Sequence, residues 1–163
     1  MDEDEFHEFY ECTARALFGY VLRVARRRDV AEDVMQECYC RMLSAKLPAM
    51  EESQKKSYLF RIAGNLLRDR WRRGEGLPEE NAAEPVAPSH DPEAQTDMRR
   101  VFDQLKPRER QLLWLAYVEG ANHKEIAEST GLRPGSVRLL LFRARRKLAD
   151  MLRSQPEQAE VKI

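Results

Sequence analysis

Between residues 54 and 73 the chain sets Lys55, Lys56, Arg61, Arg68, Arg70, Arg72 and Arg73 against a single acid, Asp69, and interleaves Tyr58, Phe60 and Trp71. Cations hold a phosphate backbone and aromatic rings stack unpaired bases, so this pattern suits single-stranded nucleic acid. Tyr58 also falls on the apolar stripe of a helix over the same residues, and a core role fits it equally well. A second one-sign segment, 133–147, holds Arg133, Arg138, Arg143, Arg145, Arg146 and Lys147 with no acid. Surface helices that meet only water usually mix signs, whereas helices that meet phosphates do not. Catalytic chemistry is poorly provided for. His7, His90 and His123 are isolated from one another, and no nucleophile–base pair accompanies them.

Cys12, Cys38 and Cys40 are odd in number and lack the paired spacing of zinc sites. On one helix, residues 38 and 40 would point about 200° apart and could not both face one metal ion. Buried or half-buried free thiols are the simplest reading. A redox sensor, or a metal site built from Cys12 and His7, is the alternative.

The elements that must carry these residues are helices. Phe6, Phe9, Tyr10, Thr13, Leu17, Tyr20, Val21 and Val24 form a helical stripe over 5–27, closed by the cations Arg26-Arg27-Arg28. Asp29 is a candidate N-cap for a helix over 30–45, with Val34, Cys38 and Met42 on one face. A third helix, 53–72, turns Tyr58, Leu59, Ile62, Ala63 and Leu66 inward, although Gly64 within it costs up to ~1 kcal/mol relative to Ala. Pro107 suits the first position of a helix over 107–118, which buries Leu112, Leu113, Leu115 and Ala116. No β-strand pattern is present.

Beyond it, Asn122 and Glu125 have the spacing of a capping box at the start of a short helix, 123–129. Ala127 is small enough for a steep crossing, and Gly131 supplies the positive φ of a tight turn. A last helix runs from Pro134 to Leu152. With Ile126, Leu132, Val137 and Leu141 closing a small core, this is a helix-turn-helix whose second helix presents Ser136, Arg138 and their neighbours to a major groove.

Net charge is zero over 163 residues but is segregated: +1 over 1–73, −7 over 74–97 and +6 over 98–163. Four of the eight prolines (Pro78, Pro85, Pro88 and Pro92) fall in the acidic stretch, which has almost no large apolar side chains. Such a segment cannot bury enough surface to offset its ordering entropy, so it is expected to be a linker between two helical domains. No apolar run approaches the ~20 residues that cross a bilayer, and the acidic start is unlike a secretory signal. A cytoplasmic location without membrane insertion is the expectation.

Four groups of residues in this order resemble the extracytoplasmic-function group (group IV) of the sigma-70 family of bacterial RNA polymerase. They are Ala31-Glu32-Asp33-Val34-Met35-Gln36-Glu37; Tyr58-Leu59-Phe60-Arg61-Ile62-Ala63-Gly64-Asn65-Leu66-Leu67-Arg68-Asp69; Leu105-Lys106-Pro107-Arg108-Glu109-Arg110 with Tyr117-Val118-Glu119-Gly120 and Lys124-Glu125-Ile126-Ala127; and Arg143-Ala144-Arg145-Arg146-Lys147-Leu148. The resemblance extends from about Phe6 to Leu152. It implies an all-α chain with a domain at 1–73, an acidic linker at 74–95, a helix-turn-helix domain at 96–153 and a tail at 154–163.

The resemblance further implies a non-enzymatic alternative sigma factor without cofactor or metal. Its partners would be core RNA polymerase, through the β′ and β subunits, promoter DNA and an anti-sigma factor. Asp33, Gln36, Glu37 and Arg41 would face the β′ coiled coil. Lys55, Lys56, Tyr58, Arg61, Asn65, Arg68, Asp69, Arg72 and Arg73 would face the melted −10 element, with an extruded base near 47–56. Lys124, Arg133, Ser136, Arg138, Arg143, Arg145 and Arg146 would face the −35 element. Independently of the resemblance, the acidic charge, −7 over 74–97, suggests a tether that threads the polymerase's RNA path. A sigma-like decoy that binds an anti-sigma factor without initiating transcription is the rival. One departure matters: Leu139-Leu140 stands where the family usually has Ser-Arg, and with Leu141 and Phe142 it makes four apolar residues in a row.

Overall fold

In the computed structural model, residues 1–74 and 92–154 are described, and they form seven helices with no strand among them. Helix α1 (Glu3–Ala25) starts where the Asp2 carboxylate accepts the Glu5 N–H at 2.8 Å, and its first turn carries Glu3, Asp4 and Glu5 at the positive end of the helix dipole. It ends at Arg26, whose φ of 56° is left-handed and whose N–H donates to Leu22 O at 2.8 Å. Arg26 and Arg27 alone turn the chain into α2 (Arg28–Ser44).

Because the turn is so short, α2 begins earlier than the sequence suggests. Arg27, not Asp29, is its N-cap, and no side chain caps it. Asp29 sits in the first turn and receives the Arg27 guanidinium at 2.6 and 3.1 Å. Helix α3 (Glu52–Arg72) follows, opened by a capping box between Glu51 and Gln54. Phe9, Leu17, Tyr20, Val24, Val34, Cys38, Met42, Leu59, Ile62 and Leu67 fill the space among these three helices.

Helix α4 (Pro92–Gln104) starts inside the stretch expected to be linker, with proline at its first position, where the missing N–H is no loss. The remainder of that stretch, including His90, lies outside the described residues, as does the tail from 155 on. Helices α5 (Pro107–Tyr117), α6 (His123–Thr130) and α7 (Pro134–Arg153) complete the second half around Leu105, Leu112, Leu115, Ile126, Val137 and Leu141. The halves abut, with α1 against α5 and α3 against α6, and their apolar side chains merge into one core. Cys38 is buried, which pushes its thiol up to about 12, whereas Cys12 and Cys40 are exposed rather than buried. No helix among the described residues is long and apolar enough to cross a membrane.

Candidate nucleic-acid and polymerase interfaces

The helix-turn-helix is built as its sequence requires. Asn122 Oδ1 accepts the Glu125 N–H at 2.9 Å and Glu125 Oε2 accepts the Asn122 N–H at 2.8 Å, so two otherwise orphaned donors at the start of α6 are satisfied reciprocally. Ala127 is buried at the crossing, and Gly131 takes φ 70° to redirect the chain into α7. Val137, Leu141 and Ala144 face inward at helical spacing. Arg133, Arg138, Arg143, Arg145 and Arg146 therefore point to solvent, with Lys124 exposed on α6 and Ser136 half-buried in the first turn of α7. The Tyr117 hydroxyl receives the Arg145 guanidinium at 2.8 Å, and Glu109 takes Lys147 at 3.0 Å, so Lys147 braces α7 against α5.

The four-residue apolar run divides as one helical face demands. Leu141 is buried and Leu140 packs at the edge of the core, but Leu139 and Phe142 stay 50% and 52% exposed. They lie three residues apart and flank the arginines on the outer side of α7.

On α3, Tyr58, Arg61, Asn65, Arg68 and Arg72 recur at i+3 and i+4 and share one side of the helix. Both readings of Tyr58 have a physical basis: its ring is half-buried against the core, and the Arg61 guanidinium lies 5.2 Å from the ring centroid. Asp69 and Arg72 pair at 3.4 Å on the exposed side, beside Arg73 at the helix end. Lys55 is held by Glu5 at 2.5 Å and Glu52 at 3.2 Å, which moves the carboxyl of Glu5 down and the ammonium of Lys55 up. Lys56 reaches into the second half, pairing with Glu119 at 3.2 Å while its ammonium lies 5.7 Å from the Phe60 ring centroid. Arg68 donates to Asn65 Oδ1 at 2.6 Å, and its guanidinium lies against Gly131, where a Cβ would displace it. The expected −10 set is thus split: Asp69, Arg72 and Arg73 are exposed, the half-buried Tyr58 and exposed Arg61 line a cleft shared with Asn122, Lys124, Glu125 and Glu128 of the helix-turn-helix, and Lys56 and Arg68 reach the second half directly.

Asp33, Gln36, Glu37 and Arg41 are all exposed on the outer face of α2. They line a groove of ≈ 420 Å³ together with Cys40, Leu66, Arg70 and Arg73. Glu37 and Arg41 pair at 2.7 Å, and Arg70 of α3 approaches Asp33 at 3.7 Å. The groove therefore offers both signs of charge to a partner.

Sequence reasoning gave no individual role to Arg108, Arg110 or Gln111. Arg110 is 1% exposed, with Nε donating to Arg23 O at 3.0 Å, Nη2 to Val24 O at 2.7 Å and Nη1 to Leu105 O. Burial, aided by the charge of Arg26, pulls its guanidinium down to about 10, so it stays protonated at neutral pH. Gln111 donates to the Tyr20 hydroxyl at 2.9 Å, and Arg108 to Thr130 O at 2.7 Å. The one local signal was Gly64, an unfavourable residue inside a helix.

An all-helical chain with a basic, aromatic-bearing helix and a helix-turn-helix falls in the class of DNA-binding transcription factors. Residues 9–76 match Sigma-70 region 2 and residues 95–148 match Sigma-70, region 4. The chain belongs to the sigma-70 family, in its extracytoplasmic-function group; sigma factors are not enzymes. It is 27% identical over 157 residues to RNA polymerase sigma factor CarQ of Myxococcus xanthus, covering 92% of this chain and 90% of that protein. It is 29% identical to ECF RNA polymerase sigma factor SigE of Mycolicibacterium smegmatis (85% and 58%) and 24% identical to SigM of Bacillus subtilis (86% and 91%). Its fold is similar to that of the sigma factor RpoE, solved in complex with the anti-sigma factor NepR from Bartonella quintana. The TM-score is 0.72 at 19% identity, covering 93% of this chain and 99% of that one.

Proposed function

We propose that this chain is an alternative sigma factor that docks on core RNA polymerase, carries it to promoters and opens the DNA there by trapping an unpaired strand. The observation that carries this reading is the pairing, in one chain, of an acid-free helix-turn-helix face on α7 with the cation-and-aromatic side of α3. Residues 1–73 act on the polymerase and the −10 element, and residues 96–153 on the −35 element and the β subunit. Asp33, Gln36, Glu37 and Arg41 receive the β′ coiled coil in their mixed-charge groove. Tyr58, Arg61, Asp69, Arg72 and Arg73 meet the melted strand first. Lys55, Lys56, Asn65 and Arg68 join them after their present partners release them. Lys124, Arg133, Ser136, Arg138, Arg143, Arg145 and Arg146 meet the −35 duplex. The exposed Leu139 and Phe142 suit thymine methyl groups or an anti-sigma factor. The protein works in the cytoplasm, where its polymerase and promoters are.

Co-elution with purified core polymerase tests the docking surface. The wild-type chain is expected to bind core, and Asp33→Arg combined with Glu37→Arg to lose binding while keeping its helical spectrum. Retention of full core affinity by the double variant would move the docking surface elsewhere.

A further inference from the structure

Helix α7 turns its buried line, Val137, Leu141 and Ala144, toward the core, and at 3.6 residues per turn Leu139 lies about 160° round from both Val137 and Leu141. The line that projects furthest from the protein is therefore Gly135, Leu139, Phe142 and Arg146, which recur at helical spacing. Its middle is apolar. Leu139 and Phe142 are 50% and 52% exposed, and the space beside Gly135 is open, so a partner can come close to the backbone there. Arg138 and Arg143 stand to either side of that line, both exposed, and no acidic residue occurs between 133 and 147. Arg145 is drawn aside to the Tyr117 hydroxyl at 2.8 Å.

An α-helix about 10–12 Å thick fills a major groove about 12 Å wide, so its outermost line meets the base edges and its flanks meet the phosphates of the groove walls. The one apolar group that base pairs present in that groove is the C5 methyl of thymine. From this geometry we propose that Leu139 and Phe142 are the specificity-determining residues of α7 and select thymine, through its methyl group, at two positions of the −35 element. This rests on the sigma-factor reading and narrows it. A serine at 139 could donate to or accept from base edges, whereas leucine gains only where a methyl covers it. Side chains three apart on a helix lie about 5–6 Å apart at Cβ, and base pairs rise about 3.4 Å, so the two thymines fall within two base steps of each other. Duplex DNA satisfies the whole face at once, with methyls for Leu139 and Phe142 and phosphates for Arg138 and Arg143. A protein partner would need an apolar pocket ringed by carboxylates to do the same.

Deleting methyl groups from the DNA tests this. Holoenzyme assembled from core polymerase and the full chain selects duplexes from a random pool of promoter length, with core alone as the control. The selected upstream motif is then resynthesised with deoxyuridine, which lacks the methyl, in place of each thymidine in turn. Wild-type holoenzyme should lose affinity about fourfold at each of two positions, the cost of exposing one methyl-sized apolar group. Leu139→Ala should erase the difference between thymine and uracil at one of them, and Phe142→Ala at the other. Both side chains are exposed, so both variants should keep the helical spectrum and the core binding of the wild type. An upstream motif without T·A pairs overturns the proposal, and so does affinity indifferent to every methyl in it. A methyl dependence that survives both substitutions also overturns it and leaves the apolar face to a protein partner. If a variant does not fold, 5-iodouracil at the sensitive positions, with iodine in place of the methyl, should cross-link on irradiation to residues 139–142 of the wild type. A cross-link only elsewhere, or none, overturns the proposal. Selection of no sequence beyond those retained by core alone would sink the sigma-factor reading and this proposal with it. A selected motif that ignores methyls sinks the proposal alone.

Discussion

Arg138 is exposed near the start of α7, where a recognition helix meets base edges. Its truncation to alanine should cost roughly 1–3 kcal/mol at one −35 base pair if it contacts guanine bidentately. Affinity measured across all four bases at each position separates this from a phosphate contact, which would weaken every sequence alike. Four consecutive apolar positions cannot all face one core, so the sequence foretold exposure within 139–142; that Leu139 and Phe142, rather than Leu140, are the exposed ones is decided by packing. The thiols divide just as clearly. Cys12 and Cys40 should react with a thiol reagent at pH 8 within the native protein, and Cys38, buried and raised to about 12, should react only on unfolding. Three thiols titrating at one rate in the folded chain would contradict the packing of α2. The sequence could not place Cys12 and Cys40 outside, since the stripe it shows for α1 and α2 does not determine how wide the buried face is.

At the scale of elements, local chemistry was legible wherever one or two neighbours set the conformation. The capping box at Asn122 and Glu125, proline at the head of α5 and the left-handed Gly131 all follow from nearby residues alone. Asn122→Ala should cost about 1 kcal/mol and lower the melting temperature, with a parallel loss of −35 binding as α6 frays. Unchanged stability would mean that the box contributes nothing beyond what water supplies. The start of α2 was not legible. Arg26 adopts φ 56° although arginine rarely does, and nothing local predicts that the turn needs only two residues. Arg110 and Gln111 were invisible for a different reason. Their partners lie 87, 86 and 91 residues away, and an arginine between a glutamate and a glutamine ordinarily reads as surface.

Taken as a whole, the two halves pack on one another through one continuous core. Charge segregation and helical periodicity were enough to see the basic faces of α3 and α7, because each is continuous in sequence. How the halves sit on one another depends on Gly64, Arg68, Arg110 and Gln111, which come from both halves and act only through tertiary contact. Arg110→Ala should destabilise the folded chain by removing donors from the α1 terminus. Comparing its melting in the free chain and in the holoenzyme shows whether those bonds belong to one state or to both.

The central claim is promoter-directed transcription, and a reconstituted run-off reaction tests it most directly. Purified core polymerase with this chain, supplied with fragments of the genome that encodes it, should yield transcripts whose upstream regions share two motifs at constant spacing. Arg138→Ala should alter the upstream motif and leave the downstream one in place. Transcripts no more abundant or specific than those made by core polymerase alone would contradict the account.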